Sequence, residues 1–146
     1  MKLINRHLLY TKEEPTKDAK LIVIYCEGKK REKDYFNYFS EISSKIRLEV
    51  EAPSQHSDNS PSGLFSKAIG HTKKSEENPN PKYNIDDEIW IVFDTDTWGE
   101  EQINSVKEDS KEYGWNIAQS NPCFEVWLFY HLFEFEEFEG MEISNN

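Results

Sequence analysis

The chain predicts an α/β domain: a small parallel four-stranded sheet flanked by helices. Three observations lead there. Leu21-Ile22-Val23-Ile24-Tyr25-Cys26 and Ile89-Trp90-Ile91-Val92-Phe93 are apolar runs without polar alternation, as expected of strands buried on both faces of a parallel sheet. Each runs straight into carboxylates, Glu27-Gly28 after the first and Asp94-Thr95-Asp96 after the second. Around them strand-like and helix-like segments alternate, the order that gives parallel strands joined by right-handed crossovers.

Residues 1–19 are polar and mixed in charge, with Pro15 interrupting any regular element, and read as a loosely attached N-terminal arm. The first strand takes residues 20–26. A helix is expected from about Glu32 to Ser44, because Tyr35, Phe36, Phe39, Ile42 and Ile46 keep helical spacing. Arg47 to Glu51 alternates apolar and polar and predicts a short strand. After a polar loop at 52–60, Ser60 is an N-cap candidate with Pro61 at the first helical position. Leu64, Phe65, Ala68 and Ile69 then form one helical face. Residues 71–86, with two prolines and three asparagines, predict the longest and most mobile loop.

The third strand begins at Glu88 and ends at Phe93. The chain turns through Trp98-Gly99 into a helix from about Glu100 to Tyr113, with Ile103 and Val106 inward and Gly114 as its stop. Trp115 to Gln119 is the fourth strand. Ser120-Asn121-Pro122 opens a last helix, Cys123 to Phe133, apolar nearly all round and therefore expected to be buried against something. Glu134 to Asn146 alternates Phe with Glu and then turns polar. The expected organisation is thus an arm, a domain over 20–133 and an acidic tail over 134–146.

With 146 residues the chain is long enough for one domain with a real core. A net charge of −11 excludes general electrostatic attraction to nucleic acid; binding there needs a metal or a local basic patch. Lys29-Lys30-Arg31, directly after Gly28, supplies such a patch, though the same residues also read as a solvated helix start. Cys26 and Cys123 have no zinc-like spacing and are expected as buried thiols in a reducing cytosol. The N-terminus has no apolar signal core, and no segment reaches the roughly 20 apolar residues of a membrane span. A cytoplasmic protein without a membrane partner is expected.

In parallel sheets, function sits at the carboxyl ends of the strands. If the strands at 20–26 and 88–93 are neighbours, Glu27, Asp94 and Asp96 share one small volume. Three carboxylates that close cannot all stay ionised without a cation, and such oxygen ligands suit Mg²⁺ or Mn²⁺. The competing reading is a helix-capping aspartate plus a solvated one. Gly28 leaves room beside Glu27 for a phosphate or an ion, and Glu27 is also a candidate general base toward water. Glu32 reads either as a further or supporting ligand or as a favourable charge at a helix N-terminus. Ser120 and Asn121, on the same rim, would bind phosphate or cap the last helix. Glu125 sits on an otherwise apolar helix, where a carboxylate is costly unless paired or ligated. His131 lies six residues on, on another helix face, and reads as a core residue; His7, His56 and His71 indicate nothing specific.

Together these residues resemble the Toprim fold, whose motif is a glutamate after the first strand and a DxD after a later one. More closely, the chain resembles the RloB-like family of bacterial defence proteins. The stretches that carry the resemblance are Ile24-Tyr25-Cys26-Glu27-Gly28, Glu32 with Tyr35-Phe36, Trp90 to Asp96, and Ser120-Asn121-Pro122-Cys123-Phe124-Glu125-Val126-Trp127-Leu128, with His131 in the continuation. The last stretch is the most specific. The resemblance implies a Toprim-type, Mg²⁺-dependent domain that cleaves nucleic acid, DNA or RNA. It also implies restriction or abortive-infection loci and a neighbouring AAA-type ATPase. Carried over by position, Glu27, Asp94 and Asp96 form the metal and catalytic set, with Glu125 next. Two departures stand out: Lys29 replaces a frequent acidic residue, and the chain is expected to stop before further helices that relatives carry.

Phe93-Asp94-Thr95-Asp96-Thr97 also matches the start of haloacid-dehalogenase-type phosphatases, where the first aspartate is a nucleophile. That chemistry needs a later acidic pair at a strand end, which the 50 residues after Asp96 do not offer. A glycosyltransferase-type DxD lacks the length for a nucleotide-sugar domain. The non-enzymatic alternative is a metal-binding or protein-interaction module, for which the aromatic-acidic run Phe133 to Phe138 speaks.

Overall fold

The computed structural model describes residues 12–54 and 56–132, leaving aside the side chains of His131 and Leu132. Among the described residues eight elements follow one another: β1 (Lys20–Cys26), α1 (Arg31–Tyr38), β2 (Ile46–Glu51), α2 (Pro61–Thr72), β3 (Glu88–Asp94), α3 (Glu100–Glu112), β4 (Asn116–Ser120) and α4 (Phe124–Leu132). The four strands are parallel in the order β2-β1-β3-β4. The two apolar runs of the sequence are therefore the two central strands, side by side, as their lack of polar alternation requires.

Alternation along β1 and β3 divides the core. Val23, Tyr25, Ile89, Ile91 and Phe93 face α2 and α3, where Leu64, Ala68, Ile103 and Val106 complete a buried cluster. Ile24, Cys26 and Val92 face the other way, against Phe36 of α1 and against Leu48 and Val50 of β2. Each fully buried Val, Leu, Ile or Phe contributes roughly 1.5–3 kcal/mol relative to exposure. The sheet and its helices are thus fixed by two apolar layers on either side of a shared pair of strands.

Helix α1 is shorter than its apolar spacing suggests. It ends at Tyr38, not near Ser44. Phe39 and Ser40 donate their N–H groups to the carbonyls of Phe36 and Asn37 in tight turns, and the Ser40 hydroxyl also bonds Asn37 O at 2.6 Å. Such serines offer the backbone an alternative to the helix ladder, and Glu41 adopts a left-handed φ of 63°. Ile42 still joins Tyr35, Phe36 and Phe39 along an apolar groove beside the sheet, while Ile46 opens β2. Helical spacing here reflects packing on one sheet face rather than a continuous helix.

The last helix, expected to be buried against something, is buried on part of its surface. Phe124 of α4 is buried at 3% exposure, yet Trp127, Phe129 and Tyr130 are 38%, 42% and 57% exposed. One stripe of α4 suffices to cover the end of the sheet. Residues 12–19 lie along the turn after α1, with Thr16 N–H donating to Ser44 O at 2.7 Å. Residues 1–11, including His7, and the acidic tail after Leu132 are outside the described residues. Among the described residues no helix is long and apolar enough to cross a membrane.

Glu51 anchors the long loop between α2 and β3. It accepts from Tyr83 Oη at 2.6 Å, pairs with Lys82 and lies 3.6 Å from Lys67. Burial alone would raise its carboxyl, but the bonds from Lys82 and Tyr83 bring it down to about 2. His71, within α2, shares a 3.1 Å hydrogen bond with Tyr25 Oη.

Ser60 caps α2: its Oγ accepts from Gly63 N–H at 3.1 Å, and Pro61 follows at the first helical position. Ser60→Ala is expected to destabilise the domain by about 1 kcal/mol. Urea unfolding would read this as a lower midpoint with an unchanged slope; an unchanged midpoint would show that the cap carries no stability.

Candidate functional site

The strand register sets the site. Cys26 lies opposite Val92 and Asp94 opposite Ser120, so the carboxyl ends of β1, β3 and β4 share one rim. Glu27 N–H donates to Val92 O at 3.1 Å, extending the ladder one residue past β1. The Glu27 side chain then crosses to β3. Its Oε2 accepts from Asp94 N–H at 3.0 Å and from the Trp98 indole N–H at 3.1 Å. Among the described residues its Oε1 takes no hydrogen bond.

Asp94 is the electrostatic centre of the rim. Burial pushes its carboxyl up first, and then the charges of Glu27, Glu32 and Asp96; a hydrogen bond from Phe124 N–H opposes them, and the result is about 6. Glu32 is buried at 8% exposure although it opens a helix. The reason is Gly28. A Cβ at that position would meet Glu32 Oε2 at 1.6 Å, so only glycine leaves room for this carboxylate to fold back. Gly28 therefore makes space for a second acidic side chain rather than for an open approach to Glu27.

The Asp94-Thr95-Asp96 loop hangs from the segment after β4. Thr95 N–H donates to Ser120 O at 3.0 Å and to Pro122 O at 3.1 Å, and Asp96 N–H donates to Pro122 O at 3.2 Å. Thr95 Oγ1 donates to Asn121 Oδ1 at 3.2 Å. Ser120 and Asn121 thus act by holding this loop. Asp96 is exposed, with the Thr97 hydroxyl on it at 2.9 Å.

The basic patch divides. Arg31 pairs with Glu125 across the mouth of the site, which gives that carboxylate the partner its apolar helix demands. Lys30 pairs with Asp34 at 2.8 Å, and Lys29 is exposed. Burial, followed by the nearby Glu32, pushes the Cys26 thiol up to about 12. Cys26 is a buried free thiol as expected, whereas Cys123 is half-buried.

Three participants were not legible as such in the sequence: Trp98, Pro122 and Phe124. Trp98-Gly99 reads as a turn, and a backbone carbonyl or N–H leaves no residue-type signal. The one available hint is a tryptophan in a polar loop two residues after a DxD.

The donor set, all carboxylate oxygen, fits a hard divalent cation, and like-charge crowding on Asp94 is what such a cation relieves. As they stand, no three His, Cys, Asp or Glu side chains among the described residues converge as a ready ion site.

In metal-free protein Asp94 holds its proton more tightly folded than unfolded, with its carboxyl moved from 3.8 to about 6. The stability this supplies is fully present below roughly pH 4 and is lost as pH rises through about 6. Metal-free wild type should therefore lose melting temperature across that window relative to Asp94→Asn. Parallel curves for the two proteins would count against crowding at Asp94.

Comparison with known proteins gives one family. No curated protein and no solved structure matches the chain. The family model described as RloB-like protein matches residues 22–144, a span that takes in most of β1, the whole carboxylate rim and α4. With its parallel sheet, its Glu27 and its Asp94-Thr95-Asp96 loop inside that match, the chain belongs to the RloB-like family.

Proposed function

We propose that this chain is a Toprim-type phosphodiesterase that uses Mg²⁺ or Mn²⁺ to cleave nucleic acid, DNA or RNA. One observation carries the reading: Glu27 and Asp94 meet at the carboxyl ends of two adjacent parallel strands, with Glu27 Oε2 on Asp94 N–H at 3.0 Å. Asp94, Asp96 and Glu27 would hold the ion, joined by Glu125 from the first turn of α4. When bound, the ion supplies Lewis-acid polarisation of the scissile phosphate and stabilises the leaving oxygen.

The chain's own residues do the rest. Lys29, Lys30 and Arg31 would contact the flanking phosphates, giving an acidic protein a local foothold. Lys30 and Arg31 must first exchange Asp34 and Glu125 for phosphate. Exposed pairs of this kind stabilise weakly, so the exchange costs little. It also releases Glu125 toward the ion. Glu32 and Asp94 keep the rim negative, and the Ser120-Asn121-Pro122 segment holds the aspartate loop in place.

The setting belongs to the same proposal: anti-phage defence of the abortive-infection kind, in the cytoplasm, with an AAA-type ATPase encoded nearby. It is supported by the family membership and the motif resemblance. A binding module with a structural metal site is the second reading. The apolar groove bordered by Ile22, Ile24, Leu48, Trp90 and Trp127 favours it.

Two measurements test the proposal. Mn²⁺ at about 100 times its dissociation constant should stabilise the wild type by roughly 2.7 kcal/mol, and Asp94→Asn by less; an equal response would place the ion elsewhere. A panel of DNA and RNA, single- and double-stranded, should be cut in Mn²⁺. Glu27→Gln should abolish cutting and keep the fold, while Lys30→Ala should weaken binding and flatten its salt dependence. If wild type with its ATPase cuts nothing, the binding module replaces the nuclease. If Glu27→Gln cuts as well as wild type, the site is misassigned.

A further inference from the structure

We infer that Trp98 is the positioning residue of the site: its indole N–H fixes which oxygen of Glu27 is turned inward and which is presented to an ion. The inference rests on the metal-site reading above and adds a residue to it. A carboxylate at the end of a strand has two equivalent oxygens and several rotamers. Here two donors converge on one of them. Asp94 N–H and Trp98 Nε1 both bond Oε2, at 3.0 and 3.1 Å, and Oε1 takes no hydrogen bond among the described residues.

The two donors differ in what they can do. Asp94 N–H belongs to β3 and fixes only the distance between strand ends. The indole comes from outside the sheet, and its ring packs against the buried cluster beneath α2 and α3. That anchorage makes the N–H a rigid donor with one direction. Removing it leaves Oε2 with a single bond and lets the carboxylate turn about it. Outer-shell donors of this kind orient ligand oxygens and typically change metal affinity by 10–100-fold when lost. Tryptophan is the residue for the task because it combines an apolar body that can be buried with one polar N–H at its edge.

The test is a calorimetric Mn²⁺ titration of wild type, Trp98→Phe and Trp90→Phe. Phenylalanine keeps an aromatic ring and removes the donor. Trp90 is the control, since its indole N–H bonds Glu88 at 2.9 Å, at the opposite end of β3. Trp98→Phe should bind Mn²⁺ roughly 10–100-fold more weakly, with wild-type secondary structure by circular dichroism, and Trp90→Phe should bind like wild type. Equal affinity in wild type and Trp98→Phe overturns the inference while leaving the metal site standing. No Mn²⁺ binding by wild type overturns the metal site and the inference with it. A measurement on the unmutated fold guards against a misfolded variant. In ¹⁵N-labelled wild type, substoichiometric Mn²⁺ should broaden the Trp98 indole N–H resonance before that of Trp115, whose N–H faces Ile85 O at 3.4 Å. Broadening of both together would reject a site beside Trp98.

Discussion

The rim is organised by one side chain that belongs to one strand and bonds to another. Glu27 leaves β1, and its side chain accepts the Asp94 N–H of β3, just past the paired residues of β1 and β3. A backbone donor at the end of a strand must find a partner or stay in water. By taking Asp94 N–H with its side chain, Glu27 replaces the backbone carbonyl that would otherwise have continued the β1–β3 ladder. The β1–β3 ladder therefore ends in a carboxylate instead of another peptide group, while β3 stays paired with β4 as far as Asp94.

Placing negative charge there has an electrostatic cost, and the surroundings show how it is met. Phe124 N–H, at the start of α4, bonds Asp94, where the positive end of a helix favours an anion. Arg31 answers Glu125. Glu32 has only the space that Gly28 leaves. The balance stays incomplete at Asp94, whose carboxyl sits at about 6. Local rules of burial and pairing are obeyed elsewhere, as at Glu51, which is equally a strand-end glutamate but is held down at about 2 by its cation and hydroxyl partners. Two acidic strand ends in one sheet thus have opposite character, decided by their neighbours rather than by their residue type.

Much of this could be read from the sequence. Unbroken apolar runs marked β1 and β3 as central, and the alternation of elements gave the parallel order. Ser60-Pro61 and Gly114, with its φ of +69°, punctuated α2 and α3 because their chemistry is local. The end of α1 was not legible, since Phe39 and Ile42 keep a helical period while the serines around them favour turns. The exposure of Trp127, Phe129 and Tyr130 was hidden for a related reason: hydrophobicity states what a helix could bury, not how much surface the sheet offers. At the site, the carboxylates were legible and their tethers were not. Trp98 acts through one N–H and Pro122 through one carbonyl, and neither follows from spacing.

The carbonyl of Pro122 takes both Thr95 N–H and Asp96 N–H, and α4 begins two residues later. The aspartate loop is consequently tied to the entry of α4 by two backbone N–H groups on one carbonyl. A displacement of the chain at Pro122 therefore cannot leave the Thr95 and Asp96 N–H groups where they are unless those two hydrogen bonds break.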